Sequence, residues 1–291
     1  MAELRVLKNA VKHNYELMNS LCLENDAQLN VVSKFCLSNP KIIDFLSSIK
    51  DCPCTTISDS NMCNFALLNE DTARKLTKCV IKTRISDIQK IPSLPPYARP
   101  DRIFVSDMLL LKEIEKLPEN LQPKVVLIAE TGDMKDGFLL PDIYEICKIM
   151  PKIRIIGISV NFSCLSGILP DLDTIKTLAD MALKIQKLRH LEKPFLSVGG
   201  TVVHTIAEKG ALKGLVQEIR SGEGIFFGYD SSGGQKLDGF CQKTIVLSGE
   251  ILEVAEKDFS IQAGHKAGFS ATGNSTADKE QNLTEKGSRI R

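Results

Sequence analysis

No charge of one sign dominates this 291-residue sequence: 37 Lys and Arg stand against 36 Asp and Glu, a formal net charge of +1. A near-neutral chain offers no electrostatic footprint for a dedicated nucleic-acid partner. No run approaches the ~20 apolar residues of a membrane span, so no membrane partner is expected. The opening MAELRVLKNAVKHNYEL is charged and has no apolar signal core, so export is not expected either. The 9 cysteines then read as reduced thiols of a cytoplasmic protein. Only Cys52-Pro53-Cys54 is close-spaced, and no second His/Cys pair completes a zinc site, so no metal is expected. Asn161-Phe162-Ser163, Asn274-Ser275-Thr276 and Asn282-Leu283-Thr284 carry meaning as glycosylation triplets only in a secreted protein. Tryptophan is absent, but 43% hydrophobic and 25% charged residues are ordinary for a globular chain. That balance excludes a wholly disordered, collagen-like or coiled-coil protein.

What is present is a short apolar run followed by an amphipathic stretch, many times over. Strands are expected at Leu29–Ser33, Cys54–Ile57, Lys78–Thr83, Arg102–Val105, Lys124–Ala129, Ile153–Val160 and Pro194–Val198, with an eighth around Glu218–Arg220. Most are short and rich in Val and Ile, as strands buried on both faces of a parallel sheet are. Helices are expected at Ala10–Cys22, Pro40–Ile49, Asp107–Leu117, Pro141–Met150 and Asp171–Arg189. Asn39 suits an N-cap with Pro40 at the first helical position. Alternation this regular over ~220 residues predicts an α/β fold, a closed (β/α)8 TIM barrel. A doubly wound open sheet is the alternative, weakened because no Gly-x-Gly-x-x-Gly turn follows the first strand. Residues 1–235 are read as the barrel. Residues 236–258, with the β-like run Thr244–Val254, are read as the start of an incomplete C-terminal β-domain. Residues 259–291 are too small and polar to offset chain ordering and are read as a disordered tail.

Active-site residues of such a barrel lie at the C-terminal ends of the strands. That selects Lys34, Asp59, Arg84, Ser106, Thr131, Asn161, Gly199-Gly200 and Arg220. Lys34 directly follows an apolar run. Desolvation at the barrel mouth would leave a nucleophilic amine, which a Schiff base with an aldehyde requires. A lysine that snorkels to solvent is the bland alternative. Gly199-Gly200-Thr201 at a strand end frees backbone N–H groups for a phosphate, or is simply a tight turn. Arg220-Ser221-Gly222-Glu223-Gly224 suggests backbone close to a ligand, or a barrel corner. His13 reads as structural or exposed, His204 as a weak candidate for approaching the phosphate from the helix after the Gly-Gly turn, and Cys36 as a buried small hydrophobe.

Together these segments resemble the fold-type III pyridoxal-phosphate family, the alanine racemase N-terminal barrel, and most of all its ornithine-racemase-like branch. Val32-Ser33-Lys34 through Pro40 is similar to the segment carrying the cofactor lysine. Glu130-Thr131-Gly132-Asp133 resembles the acidic–x–Gly stretch. Gly157 through Cys164 and Arg220 through Gly228 resemble two further segments of that branch. The likeness covers roughly residues 4–258. It implies pyridoxal 5'-phosphate joined to Lys34 as an aldimine, with Lys34 later a base at the substrate Cα. It implies Arg220 facing the pyridine nitrogen and keeping it unprotonated. Asn161 is implied beside the ring. Gly199, Gly200, Thr201, Gly222 and Glu223 are implied around the phosphate, mainly through backbone N–H groups.

The departures from the family matter as well. Val202 stands where a phosphate-binding serine is expected, Lys135 where arginine is usual, and Ile128 where alanine racemases carry a lysine. The tyrosine that serves as second base comes from a partner's C-terminal domain, and here Thr244–Val254 looks like only its beginning. Within the chain Cys164 is the candidate second base, its thiolate favoured by Lys135. The implied activity is racemisation of a free amino acid, ornithine or another basic one first, alanine or serine second. Asp59, Asp133, Asp136 and Glu223 are candidate partners for a distal ammonium. The implied assembly is a homodimer in monomer–dimer exchange. Two other readings stand beside this one: a non-catalytic pyridoxal-phosphate homeostasis protein, and a dead interaction protein that binds no cofactor.

Overall fold

The computed structural model describes residues 3–163, 167–230, 232, 234–251, 254–257 and 287–290. The chain falls into two compact units, residues 6–245 and residues 1–5 with 246–291. Strand β1 (Glu3–Val6) leads into α1 (Lys8–Glu24). There Val11, Tyr15, Met18 and Cys22 recur at helical spacing and are buried. Eight strand–helix steps follow. They are β2 (Gln28–Val32), α2 (Pro40–Ser47), β3 (Thr56–Asp59), α3 (Glu70–Lys75), β4 (Thr77–Val80), α4 (Ile85–Lys90), β5 (Arg102–Val105) and α5 (Met108–Glu115). Then come β6 (Lys124–Ile128), α6 (Leu140–Ile149), β7 (Ile155–Asn161), α7 (Leu172–Arg189), β8 (Leu196–Gly199), α8 (His204–Ala207), β9 (Glu218–Ser221) and α9 (Glu223–Phe227).

Strands β2 to β9 form a closed barrel, each parallel to the next, with β9 returning to β2 so that Asn30 lies opposite Arg220. This is the (β/α)8 barrel that the alternation predicts. Its helices start where their caps put them. Asn39 accepts from Lys41 N–H at 3.0 Å and Asp107 from Leu109 N–H at 2.7 Å, satisfying donors left over in a first turn. Helices α3 and α4 were not expected; at 6 residues each they are too short to show a period. After α9, β10 (Tyr229–Asp230) and β11 (Gln235–Lys236) make an antiparallel pair. In the smaller unit β1 pairs with β12 (Ile245–Ser248). There too β13 (Val254–Lys257) runs antiparallel to β14 (Gly287–Ile290). The run expected as one β segment over Thr244–Val254 is thus divided between β12 and β13.

The side chains within the barrel separate by chemistry. Cys79, Phe104, Val126 and Ile128 form a small apolar cluster with Ile81, Ile156 and Phe195 against it. Strands β8, β9, β2 and β3 instead contribute the buried polar residues Ser197, Glu218, Arg220, Asn30 and Ser58. The larger apolar core contains inward residues of the helices, such as Ile175, Leu178 and Ile185 of α7.

Candidate active site

Lys34 sits on a short 3-10 turn, Ser33–Cys36, that follows β2. The turn ends on two non-glycine residues in the left-handed region, Leu37 at φ 51 and Ser38 at φ 50. Such conformations cost ~1–3 kcal/mol each and persist only where the surroundings hold them. Here Ser38 Oγ donates to Asp59 Oδ2 at 2.7 Å, and Ser33 Oγ donates to the Ser58 carbonyl at 3.0 Å. Asp59, fully buried at the end of β3, also accepts from Asn61 N–H at 3.0 Å and from Asn64 Nδ2 at 3.2 Å. The desolvation expected of Lys34 is not found. The residue is exposed, because the turn carries it past the strand end, and its side chain has no hydrogen-bond or ion-pair partner among the described residues.

Arg220 is the reverse case: it is 3% exposed. Its Nη2 donates to the Val160 carbonyl at 2.9 Å and to Asn161 Oδ1 at 2.8 Å, and its Nη1 donates to Ser197 Oγ. The guanidinium lies over the Phe104 ring at 4.9 Å. Burial pushes its pKa down to about 10, which leaves it charged at neutral pH. Room for this group is made by Gly199: a Cβ there would run into the guanidinium and come within 2.7 Å of Asn161 Oδ1. Gly200, at φ +110, turns the chain out of β8 in a conformation that side chains rarely adopt. The loop after β9 is tied to this turn, since Gly224 N–H donates to Thr201 Oγ1 at 3.3 Å.

These pieces line one cleft of about 320 Å³. Lys34, Lys135, Asn161, Gly199, Gly200, Thr201, Arg220, Gly222 and Glu223 all border it, with Val32, Ile81 and Phe162 as apolar wall. Cys164 lies outside the described residues. An adjoining recess shares Lys135 and Asn161 and adds Thr131, Glu130, Asp133 and Asp136. The loop between cleft and recess is held by Glu130, which accepts from the backbone N–H groups of Gly132, Met134 and Lys135.

Other expected positions fall elsewhere. Arg84 is exposed at the N-cap of α4, where its N–H donates to Asp87 at 3.1 Å, and neither it nor Ser106 borders the cleft. His13 Nε2 meets the Gly239 carbonyl at 2.8 Å. His204 is buried edge-on against Phe240, so both histidines are structural. Val202 is buried and does not line the cleft. Ser197, which accepts from Arg220, and Glu218, which accepts from Ser197, were missed. Their signal was position: each stands two residues before a chosen one, Gly199 and Arg220, on the same strand face.

No family model matches the chain. An ornithine racemase of Acetoanaerobium sticklandii is 26% identical over 273 residues, covering 91% of this chain and 74% of the relative. A lysine racemase of Thermotoga maritima is 28% identical over 159 residues, covering 54% of this chain and 45% of the relative. The chain thus spans about three quarters of one curated relative and less than half of the other. Among solved structures, alanine racemase from Corynebacterium glutamicum matches with a TM-score of 0.65 at 13% identity, over 89% of this chain and 71% of that one. Alanine racemase from Bartonella henselae, solved with covalently bound pyridoxal phosphate, matches with a TM-score of 0.60 at 12% identity, over 91% of this chain and 70% of that one. At such identities the structures speak to the fold alone, and the fold is the same barrel. The two sequence relatives and the shared barrel together support a likeness to the fold-type III, alanine-racemase-like family.

Proposed function

We propose that the protein is a pyridoxal-phosphate-dependent amino-acid racemase that holds its cofactor on Lys34. Free ornithine or another basic amino acid is its first substrate, with alanine or serine second. One observation carries this reading. A lysine whose side chain has no partner among the described residues, a buried arginine and two linked glycine turns border a single cleft of about 320 Å³, within the ~300–1,000 Å³ common for small-molecule sites. The residues present fit the cofactor on three counts. Lys34 offers an exposed amine to an aldehyde. The Gly200-Thr201 and Gly222-Glu223 backbone, with the Thr201 hydroxyl, offers donors to a phosphate. Arg220 offers a permanent cation to a ring nitrogen.

When bound, pyridoxal phosphate supplies an electron sink that acidifies the Cα–H of an attached amino acid. Lys34 Nζ then takes the proton at Cα on one face and can return it. Arg220 withholds a proton from the ring nitrogen, which limits charge withdrawal and favours proton return over other bond cleavage. Asn161 holds Arg220 in place by accepting from Nη2. A second base is needed on the opposite face. Cys164 is our candidate, with Lys135 as the cation favouring its thiolate. Its replacement by alanine should stop Cα exchange from one enantiomer only. A basic substrate also needs an acid for its distal ammonium. Asp59 is committed to Ser38, Asn61 and Asn64, and Asp133 is buried. Glu223, exposed in the cleft, and Asp136, in the recess, are the candidates by position.

We place the protein in the cytoplasm, on its cysteine usage, and read it as a homodimer in monomer–dimer exchange. Phe35, Leu37, Leu67, Met134 and Leu169 are exposed on segments that leave the C-terminal ends of the strands, and Leu109 is exposed on the first turn of α5. A second copy over the mouth would bury such a rim. The cofactor assignment is tested by incubating the protein with pyridoxal phosphate, reducing it with borohydride and mapping the label by peptide mass. Label on Lys34, and neither label nor visible colour in Lys34→Ala, is expected. A colourless wild-type protein, or label on another lysine, would overturn it.

A further inference from the structure

Among the described residues, Arg220 is not paired directly with a carboxylate. Ser197 Oγ accepts from Arg220 and donates to Glu218 Oε1 at 2.6 Å. The other carboxylate oxygen, Oε2, lies 2.7 Å from Arg102 Nη2. All four groups are buried, with exposures of 7% for Arg102, 0% for Glu218, 0% for Ser197 and 3% for Arg220. Both guanidinium groups lie over rings of the apolar cluster, Arg102 over Phe195 at 5.2 Å and Arg220 over Phe104 at 4.9 Å. Two cations therefore share one carboxylate inside the barrel. The Cys79 thiol faces both but adds no charge near neutral pH, because burial pushes it up to about 12. At the mouth the charged groups are Lys34, Lys135 and Glu223.

The unequal sharing gives Arg102 a purpose. Engaged with Arg102, Glu218 reaches Arg220 only through a hydroxyl, so the charge on Arg220 stays directed at the cleft. Without Arg102, Glu218 would have a single cation left to pair with, and the hydroxyl link would give way to a direct ion pair. We propose that Arg102, Glu218 and Ser197 are positioning residues that form a charge ladder through the barrel. Ser197 and Glu218 hold Arg220 in place, and Arg102 occupies Glu218 so that Arg220 presents a net positive face to the cofactor. This rests on the reading of the cleft as a pyridoxal-phosphate site.

The test is the pH at which the visible band of the loaded protein titrates, since a more positive surrounding lowers that pH and a less positive one raises it. Glu218→Gln removes the negative charge and should lower it by about one pH unit, whereas Arg102→Met removes a positive charge and should raise it by about as much. The double variant keeps the charge balance and should titrate near the wild type. A merely structural role predicts no opposite shifts and predicts the double variant to be the most damaged. Arg102→Met alone decides the sign if Glu218→Gln does not fold. Ser197→Ala changes no charge. It should weaken pyridoxal phosphate uptake about tenfold, the usual worth of one hydrogen bond to a charged group, and lower the melting temperature by a few degrees, because Glu218 and Arg220 both lose a buried partner. Shifts in the same direction, no shift, or full uptake by Ser197→Ala would overturn the ladder while leaving the cofactor reading intact. A wild-type protein that takes up no pyridoxal phosphate would overturn both.

Discussion

Asp59 is the residue whose loss should do most to the turn that carries Lys34. Asp59→Ala strips the acceptor from Ser38 Oγ, Asn61 N–H and Asn64 Nδ2 at a fully buried position. Hydrogen bonds to a charged group are worth ~1.5–3 kcal/mol each. Asn64 is only partly buried and can turn to water, and Ser38 Oγ has Ser33 Oγ at 2.8 Å as a fallback. Discounting for both leaves a loss of about 3 kcal/mol. At ~2–4 °C per kcal/mol for a chain of this size, the melting temperature should fall by about 6–12 °C. With Ser38 released, the left-handed pair Leu37-Ser38 can relax, so Lys34 should lose its placement. Pyridoxal phosphate uptake, followed by absorbance titration, should fall with the melting temperature. Asp59→Asn keeps the shape and one acceptor oxygen and should lose less than half as much of each. An Asp59→Ala protein that melts and loads like the wild type would refute the reasoning.

Gly199→Ala should fold yet load poorly, because its methyl group displaces the Arg220 guanidinium; unchanged uptake would contradict the described packing. His204 supplies a pH dependence. Burial, acting against Glu208 and Asp230, lowers its pKa from 6.5, so the unfolded chain binds more protons below that pH. Stability from the neutral ring is therefore present above pH 6.5 and lost as the pH falls through that value toward the folded-state pKa. Urea melts on acidification should show a steeper loss for the wild type than for His204→Gln; equal slopes would refute the assignment. Leu37→Glu with Met134→Glu should shift sedimentation toward monomer. A tight, concentration-independent dimer in that variant would show that the rim does not carry the interface.

The barrel was legible because its strands are local, Val- and Ile-rich and separated by amphipathic stretches. The caps at Asn39 and Asp107 were legible for the same reason, each needing only the residues beside it. Helices α3 and α4 were not, since a helix of under two turns shows no period. The cleft residues were found by their place at strand ends and by family likeness. Strand ends alone also selected Arg84, which the next helix uses as its cap. What escaped was whatever depends on closure of the barrel. Glu218 shares a strand face with Arg220, but nothing local brings Arg102, four strands away, to its other oxygen. Nor did the strand pattern reveal that Lys34 rides on a turn and stays exposed.

Solvent deuterium at the substrate Cα tests the central claim most directly. Protein loaded with pyridoxal phosphate is incubated in deuterium oxide with L-ornithine or D-ornithine, and the products are read by mass spectrometry and chiral chromatography. The account predicts deuterium at Cα from either enantiomer, accompanied by the opposite enantiomer, and neither in Lys34→Ala. Absence of exchange with ornithine, lysine, alanine and serine alike, in a protein that has taken up its cofactor, would contradict it.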